Sequence, residues 1–234
     1  MRLISIIIPC FNEEKFIKKL LNKIQIVKKR RKLKLEIIVV DDGSTDNSKN
    51  IIKKFKNVKL ICQKNSGKGA AVQNGIKNAK GYYILIQDAD LEYDPNDYIK
   101  MFAKLNVDKV AVYGSRYINK QKKIKFQLHK NQEFLPFIFN FILMFIFMIF
   151  FKNVITDLLT GYKIYERKFF QKLKIRSKGF EADHEITAKL VKSNYKIIEV
   201  PINYSPRTRR EGKKINIFDS FKAIKTIIYF KFFD

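Results

Sequence analysis

From Ile4 to Gln87, short apolar runs alternate with segments of helical spacing. Ile4–Ile8 is a β-branched run, and Glu13–Lys28 carries Phe16, Ile17, Leu20, Leu21, Ile24 and Val27 at steps of three and four, which predicts a helix. Glu36–Val40 and Val58–Cys62 read as strands, Asp46–Phe55 and Gly69–Ala79 as helices, and Tyr82–Gln87 as a fourth strand. Strands that are apolar throughout and separated by helices predict an α/β fold with a mostly parallel central sheet covered on both faces. Ligands of such sheets bind beyond the carboxyl ends of the strands. The polar clusters Pro9–Glu13, Asp41–Ser44 and Asp88–Glu92 all fall at such ends.

The second half follows another pattern. Phe134–Phe151 is uncharged for eighteen residues and is interrupted by Pro136 and Asn140. A bilayer-spanning helix needs about 20 apolar residues, so three readings stand: a spanning helix, a buried core helix, and a helix lying in the membrane interface, which is preferred. Spanning is excluded if residues on both sides of the run build one site. Ile215–Phe233 sets Ile217, Phe218, Phe221, Ile224, Ile227, Ile228 and Tyr229 against Lys222, Lys225 and Lys231. This basic amphipathic helix suits an anionic membrane surface or ordinary core packing. The chain therefore divides into one domain over 1–215, with 134–151 inside it, and a C-terminal amphipathic helix over 216–234.

Composition sharpens this picture. The 234 residues are 46% hydrophobic, with 21 Phe, no Trp and a formal charge of +26, which excludes a disordered basic tail. The charge calls for an anionic partner: nucleic acid, an acidic membrane or a phosphorylated substrate. It is spread evenly over both halves, whereas Asp88, Asp90, Glu92, Asp94 and Asp97 cluster with no Lys or Arg among them. An even spread around an acidic centre, with the uncharged 134–151 run, argues against nucleic acid as a partner. Cys10 and Cys62 adjoin apolar runs and read as buried thiols of a reducing compartment. The apolar run after Met1-Arg2 is short and is followed by Asn12-Glu13-Glu14, so it reads as a buried first strand and not a signal peptide.

Three segments carry candidate chemistry. On an extended Asp88-Ala89-Asp90-Leu91-Glu92 segment the three carboxylates point one way and suit a hard divalent cation, Mg²⁺ or Mn²⁺. A solvated acidic turn is the alternative. Gly67-Lys68-Gly69 opens a helix, and a helix N-terminus beside lysine favours phosphate, although a plain capping loop reads the same. The run Tyr204–Lys214 holds five basic residues with Gly and Pro, as a flexible cationic loop or a solvated surface would.

Ser5–Glu14, Val39–Ser48, Asn65–Gly75, Gln87–Pro95, Gly114–Tyr117, Asp157–Tyr162 and Gly179–Thr187 occur in this order. Together they resemble the family 2 glycosyltransferases of GT-A fold, nearest to the dolichyl- or polyprenyl-phosphate mannosyl- and glucosyltransferases, over about residues 3–215. The resemblance implies that Pro9, Glu13 and Asp42 hold the base and ribose of a nucleotide sugar and that Lys68 lies near the nucleotide. It implies that Asp88 and Asp90 form a D-x-D motif working with metal and diphosphate. Glu92 stands where mannosyl-transferring relatives often carry Gln, and Phe11 replaces a common Tyr. Arg116 is implied to meet a donor or acceptor phosphate, and Arg207 with Lys213 or Lys214 to close over one.

Charge on a departing diphosphate must be neutralised, and a divalent metal with nearby Lys or Arg supplies that. Asp157 is the chosen carboxylate near the reacting centre, as base or orienting group, with Glu181, Asp183 and Glu185 as alternatives. Asp183 and Glu185 are placed on one side of an extended turn around His184, which reads as structural; His129 is given no role. The expectation is an inverting, metal-dependent transferase moving a hexose from a UDP- or GDP-sugar to polyprenyl phosphate at the cytoplasmic membrane face. A saccharide, glycolipid or protein acceptor is the alternative.

Overall fold

The computed structural model describes residues 2–105, 108–119, 121, 123–124, 127–130, 132–208 and 217–233. Its seven strands are β1 (Ile4–Cys10), β2 (Leu35–Asp41), β3 (Lys59–Cys62), β4 (Tyr83–Ile86), β5 (Val110–Ser115), β6 (Lys163–Glu166) and β7 (Lys196–Pro201). They form one sheet in the order β3-β2-β1-β4-β6-β5-β7. β1 pairs in parallel with β2 from Ile4↔Leu35 to Cys10↔Asp41 and with β4 from Ile4↔Tyr83. β6 alone runs against its neighbours, pairing Tyr83↔Glu166 on one side and Val112↔Ile164 on the other. The mostly parallel α/β sheet expected from the apolar runs is thus present, with one reversed strand wedged into its centre.

Alternation along β1 builds two cores. Ile4, Ile6 and Ile8 face the layer containing Leu20, Leu21 and Ile24 of helix α1 (Ile17–Arg30). Ile7 faces the opposite layer with Ala71, Val72 and Ile76 of α3 (Lys68–Lys77), the helix after the short α2 (Ser48–Lys53). Cys10 is buried as expected, but Cys62 is exposed because β3 is an edge strand with neighbours on one side only.

After α4 (Tyr98–Phe102), the uncharged run forms helix α5 (Phe134–Phe151) over the expected residues. Asn140, Leu143 and Phe147 are buried, whereas Phe134, Leu135, Phe145 and Ile149 are each more than half exposed. By length and composition α5 could cross a membrane. The strands before and after it belong to one sheet, so it does not part the chain across a bilayer. Helices α6 (Arg167–Lys172) and α7 (Ala182–Lys192) follow, and α8 (Ile217–Phe232) packs on α5 and α7 through Ala223, Ile227 and Phe230. Core packing thus takes one face of α8, while Phe221, Lys222, Lys225, Ile228, Tyr229 and Phe232 stay exposed.

Candidate active site

The carboxyl ends of β1, β2 and β4 lie side by side, and the loops that leave them wall a cleft of about 460 Å³. On its β1 side, Asn12 adopts a left-handed φ of 51°. Its side-chain carbonyl accepts the Thr45 amide at 2.8 Å, and the Glu13 amide donates to Ser48 Oγ at 2.8 Å, locking this loop to the one after β2. Asp42 Oδ1 accepts Gln63 Nε2 at 2.7 Å and the Ser66 amide at 2.9 Å, and Oδ2 accepts the Gly67 amide at 2.9 Å. The Ala70 amide donates to the Lys178 carbonyl. The Gly67 amide is thus taken by Asp42 and the Ala70 amide by Lys178. Gly67 sits at a φ of 97°, where an L side chain is strained.

Residues 89–92 are a series of bends and not the extended segment expected from the D-x-D-x-E spacing. Asp90 Oδ1 accepts the Glu92 amide at 2.9 Å, the local turn that a short carboxylate favours. The three carboxylates consequently divide. Asp88 Oδ1 meets Lys68 Nζ at 2.7 Å, while Asp90 Oδ2 meets Arg207 Nη2 at 2.7 Å. Arg207 also reaches Glu13 Oε2 at 3.0 Å and Glu92 Oε1 at 3.6 Å, and its amide donates to Glu92 at 2.9 Å. Among the described residues no group of three His, Cys, Asp or Glu stands together as a finished metal cage.

The charge state of this wall still favours a cation. Burial pushes the Asp90 carboxyl up to about 7, the charges of Asp88 and Glu92 add to it, and Arg207 opposes them. Burial alone disfavours the Lys68 ammonium, but Asp88 and Asp183 outweigh it and hold it above ordinary lysine. Hard carboxylate oxygens in excess of their local cations match Mg²⁺ or Mn²⁺ in kind.

Arg116 follows β5 and forms the opposite wall. Asp157 has no solvent exposure and accepts three hydrogen bonds from this one residue: the amide at 3.0 Å, Nε at 2.6 Å and Nη2 at 2.6 Å. Burial alone disfavours the guanidinium charge; Asp157 overrides that and fixes it. The guanidinium lies 4.8 Å from the ring centre of Tyr204 and 5.4 Å from that of Tyr117. Behind the pair, Glu199 Oε1 accepts the Asp157 amide at 3.1 Å and Thr156 Oγ1 at 2.8 Å. Burial pushes the Glu199 carboxyl up to about 6, against the hydrogen bonds from Thr156.

The alternatives to Asp157 separate clearly. Residues 182–192 form helix α7 and not an extended turn, so 183 and 185 point to different sides. Asp183 lines the cleft between Lys163 Nζ at 3.4 Å and Lys68 Nζ at 3.7 Å. Glu185 is buried under the Arg176 and Ser177 amides and Lys189. Glu181 Oε1 accepts the Gly179 amide. His184 is buried at the cleft wall, and its Nδ1 has no partner among the described residues. Burial and Lys163 push the His184 imidazole down to about 3, so it is neutral.

Pro9, Glu13, Asp42, Lys68, Asp88, Asp90, Glu92, Arg116 and Arg207 all line the one cleft. Asp157 is buried behind the cleft and bonded to Arg116, and Lys213 and Lys214 lie outside the described residues. Lys163, Tyr93 and Tyr204 were not singled out by sequence. Lys163 is fully buried, and burial pushes its ammonium down although Asp183 opposes this. The Tyr93 hydroxyl accepts the Gly161 amide at 3.0 Å. The available signal was a lysine just past the Asp157–Tyr162 motif and tyrosines beside acidic and arginine-rich runs. Gly161 is required there, because a Cβ would collide with the Asp88 carboxylate.

A family model described as Glycosyl transferase family 2 matches residues 5–174. An uncharacterized protein of Methanocaldococcus jannaschii is 35% identical over 210 residues, covering 82% of this chain and 84% of that protein. The dolichyl-phosphate beta-glucosyltransferase of Saccharomyces cerevisiae is 29% identical over 252 aligned residues, covering 96% of this chain and 73% of that protein. One of that name in Trichomonas vaginalis is 36% identical over 135 residues, and the match spans 51% of this chain and 41% of that relative. Among solved structures, glucosyl-3-phosphoglycerate synthase from Mycobacterium tuberculosis in complex with UDP superposes with a TM-score of 0.73 at 16% identity, covering 98% of this chain and 80% of that one. The same enzyme with Mn²⁺, UDP and phosphoglyceric acid gives a TM-score of 0.73 at 15% identity, covering 100% and 80%. The sheet is therefore GT-A-like, and the chain belongs to glycosyl transferase family 2 and is a glycosyltransferase.

Proposed function

We propose that this cleft transfers a hexosyl group from a nucleoside diphosphate hexose to polyprenyl phosphate. One observation carries the reading: the wall holding Arg116 continues into Leu135, Pro136 and Phe139 of the exposed apolar helix α5. A phosphate would meet a guanidinium while its hydrocarbon chain lay against an apolar surface. The names of the yeast and Trichomonas vaginalis relatives support glucose as the first sugar to test.

Glu13, Asp42, Lys68 and Arg207 line the same cleft; Glu13 and Asp42 would hold the nucleotide, and Lys68 and Arg207 would meet its diphosphate. Asp88, Asp90 and Glu92 would hold a divalent cation, Mg²⁺ or Mn²⁺, which supplies charge neutralisation on the diphosphate. Arg116 orients the acceptor phosphate. Both Asp157 oxygens are taken by Arg116, so Asp157 serves as an orienting group and not as a base. A phosphate oxygen is already deprotonated and needs no base. It bonds to the anomeric carbon as the bond from that carbon to the diphosphate oxygen breaks, inverting the centre and releasing the nucleoside diphosphate.

The exposed side chains Phe134, Phe145 and Ile149 on α5 and Phe221, Phe232 and Phe233 at α8, with Lys222, Lys225 and Lys231, suit the anionic cytoplasmic face of a membrane. Incubation with polyprenyl phosphate, Mn²⁺ and radiolabelled UDP-glucose or GDP-mannose tests the reading. Label should enter the organic phase with one donor. Label that stays in water with every donor overturns a lipid phosphate acceptor.

A further inference from the structure

Helix α5 carries one amide side chain in eighteen residues, Asn140, on the face opposite its exposed phenylalanines. Asn140 has no solvent exposure. Its Nδ2 donates to the Thr156 carbonyl at 3.0 Å, and its Oδ1 accepts the Leu159 amide at 3.4 Å. These two backbone groups bracket Asp157. From the other side, Glu199 accepts the Thr156 and Asp157 amides, and Ser115 Oγ shares a 2.7 Å hydrogen bond with Thr156 Oγ1. Asp157 in turn holds Arg116 at two atoms 2.6 Å away. The segment that aims Arg116 is thus clamped between a rigid sheet strand and the apolar helix.

We propose that Asn140 is a positioning residue that couples the lipid-facing surface of α5 to the Asp157–Arg116 pair, so that seating α5 and α8 on an anionic bilayer orders the 156–159 segment. The rest of α5 offers this segment only apolar contact, which is non-directional and tolerates sliding. Two opposed hydrogen bonds from one planar amide fix both the depth and the rotation of the helix against it. The occupant of the outer face is a lipid surface because Lys222, Lys225 and Lys231 flank it with positive charge. The inference rests on the reading of that face as membrane-facing, and not on the identity of the acceptor.

Hydrogen exchange of the full chain tests it, read on peptides across 155–160 with and without phosphatidylglycerol-containing vesicles. Wild type should show roughly tenfold slower exchange there when vesicle-bound. Asn140→Leu should float with the vesicles equally well yet show no vesicle-dependent slowing. In transfer to a short, water-soluble polyprenyl phosphate, this variant should lose kcat and keep the donor KM. Glu199→Gln, which loosens the segment from the sheet side, should exchange faster at baseline but keep the vesicle response. If Asn140→Leu does not fold, Asn140→Ser removes the same two-point grip with a smaller change. Equal vesicle slowing in wild type and the Asn140 variant, or none in wild type, overturns the coupling. Absence of transfer to lipid phosphate by the wild type, with the exchange pattern as expected, overturns the acceptor assignment and leaves the coupling standing.

Discussion

His184→Gln should change how stability depends on pH. In the folded protein burial and Lys163 hold the imidazole neutral down to about 3, whereas the unfolded chain protonates it near 6.5. Between those values the unfolded state binds more protons, so stability falls as pH falls. At about 1.4 kcal/mol per pH unit, the whole interval is worth roughly 5 kcal/mol, of which roughly 2 kcal/mol is lost between pH 7.5 and pH 5. Asp90 and Glu199 act in the opposite direction. Their carboxyls, pushed up to about 7 and about 6, bind protons in the folded state first, so acidification through those values adds stability. The wild-type curve alone therefore masks the contribution of His184. The difference between variant and wild type isolates it, because neither carboxylate is among the groups that perturb the imidazole. Urea unfolding followed by far-UV circular dichroism at the two pH values gives that difference. Going from pH 7.5 to pH 5, the variant should gain roughly 2 kcal/mol on wild type. A gain below about 0.5 kcal/mol would refute a buried neutral histidine.

Three further outcomes test the site. Asp157→Ala leaves the Arg116 charge buried without its partner and should cost about 3–5 kcal/mol in urea unfolding; a loss below about 1 kcal/mol would mean that the pair is solvated. Gly161→Ala pushes a methyl group into the Asp88 carboxylate and toward Tyr93, so transfer should fall more than about tenfold at a stability cost of about 1–3 kcal/mol, and wild-type transfer would show that Asp88 need not hold its place. Arg207→Ala removes a cation lying 2.7 Å from Asp90, so calorimetry on nucleotide-free protein should show Mn²⁺ binding roughly threefold or more tighter, and unchanged or weaker binding would place the metal elsewhere.

Much of the site was legible because its residues sit at strand ends, and strand ends are marked by where an apolar run stops. Pro9, Asp42 and Asp88 follow in that way, the order of motifs supplies Arg116, and the basic run Tyr204–Lys214 with the family resemblance supplies Arg207. The bends after Asp88 were missed because an Asp side chain capping its own turn leaves no periodic trace. Partnerships were missed for a different reason. Arg207 and Asp90 are 117 residues apart, and nothing local to either records the other. Asn140 was visible as an interruption of an apolar helix, but its partners Thr156 and Leu159 lie beyond the helix end.

The sequence by itself determined the α/β layering, the first four strands and the extent of α5, because these follow from local hydrophobic period and from uncharged length. Tertiary structure alone decided that β6 enters reversed between β4 and β5, bringing Lys163 beneath the cleft, and that α8 gives one face to the core. It also decided which carboxylates meet which cations. Charge pairing is set by distance in space and by burial, and a chain that reads +26 throughout carries neither until it is folded.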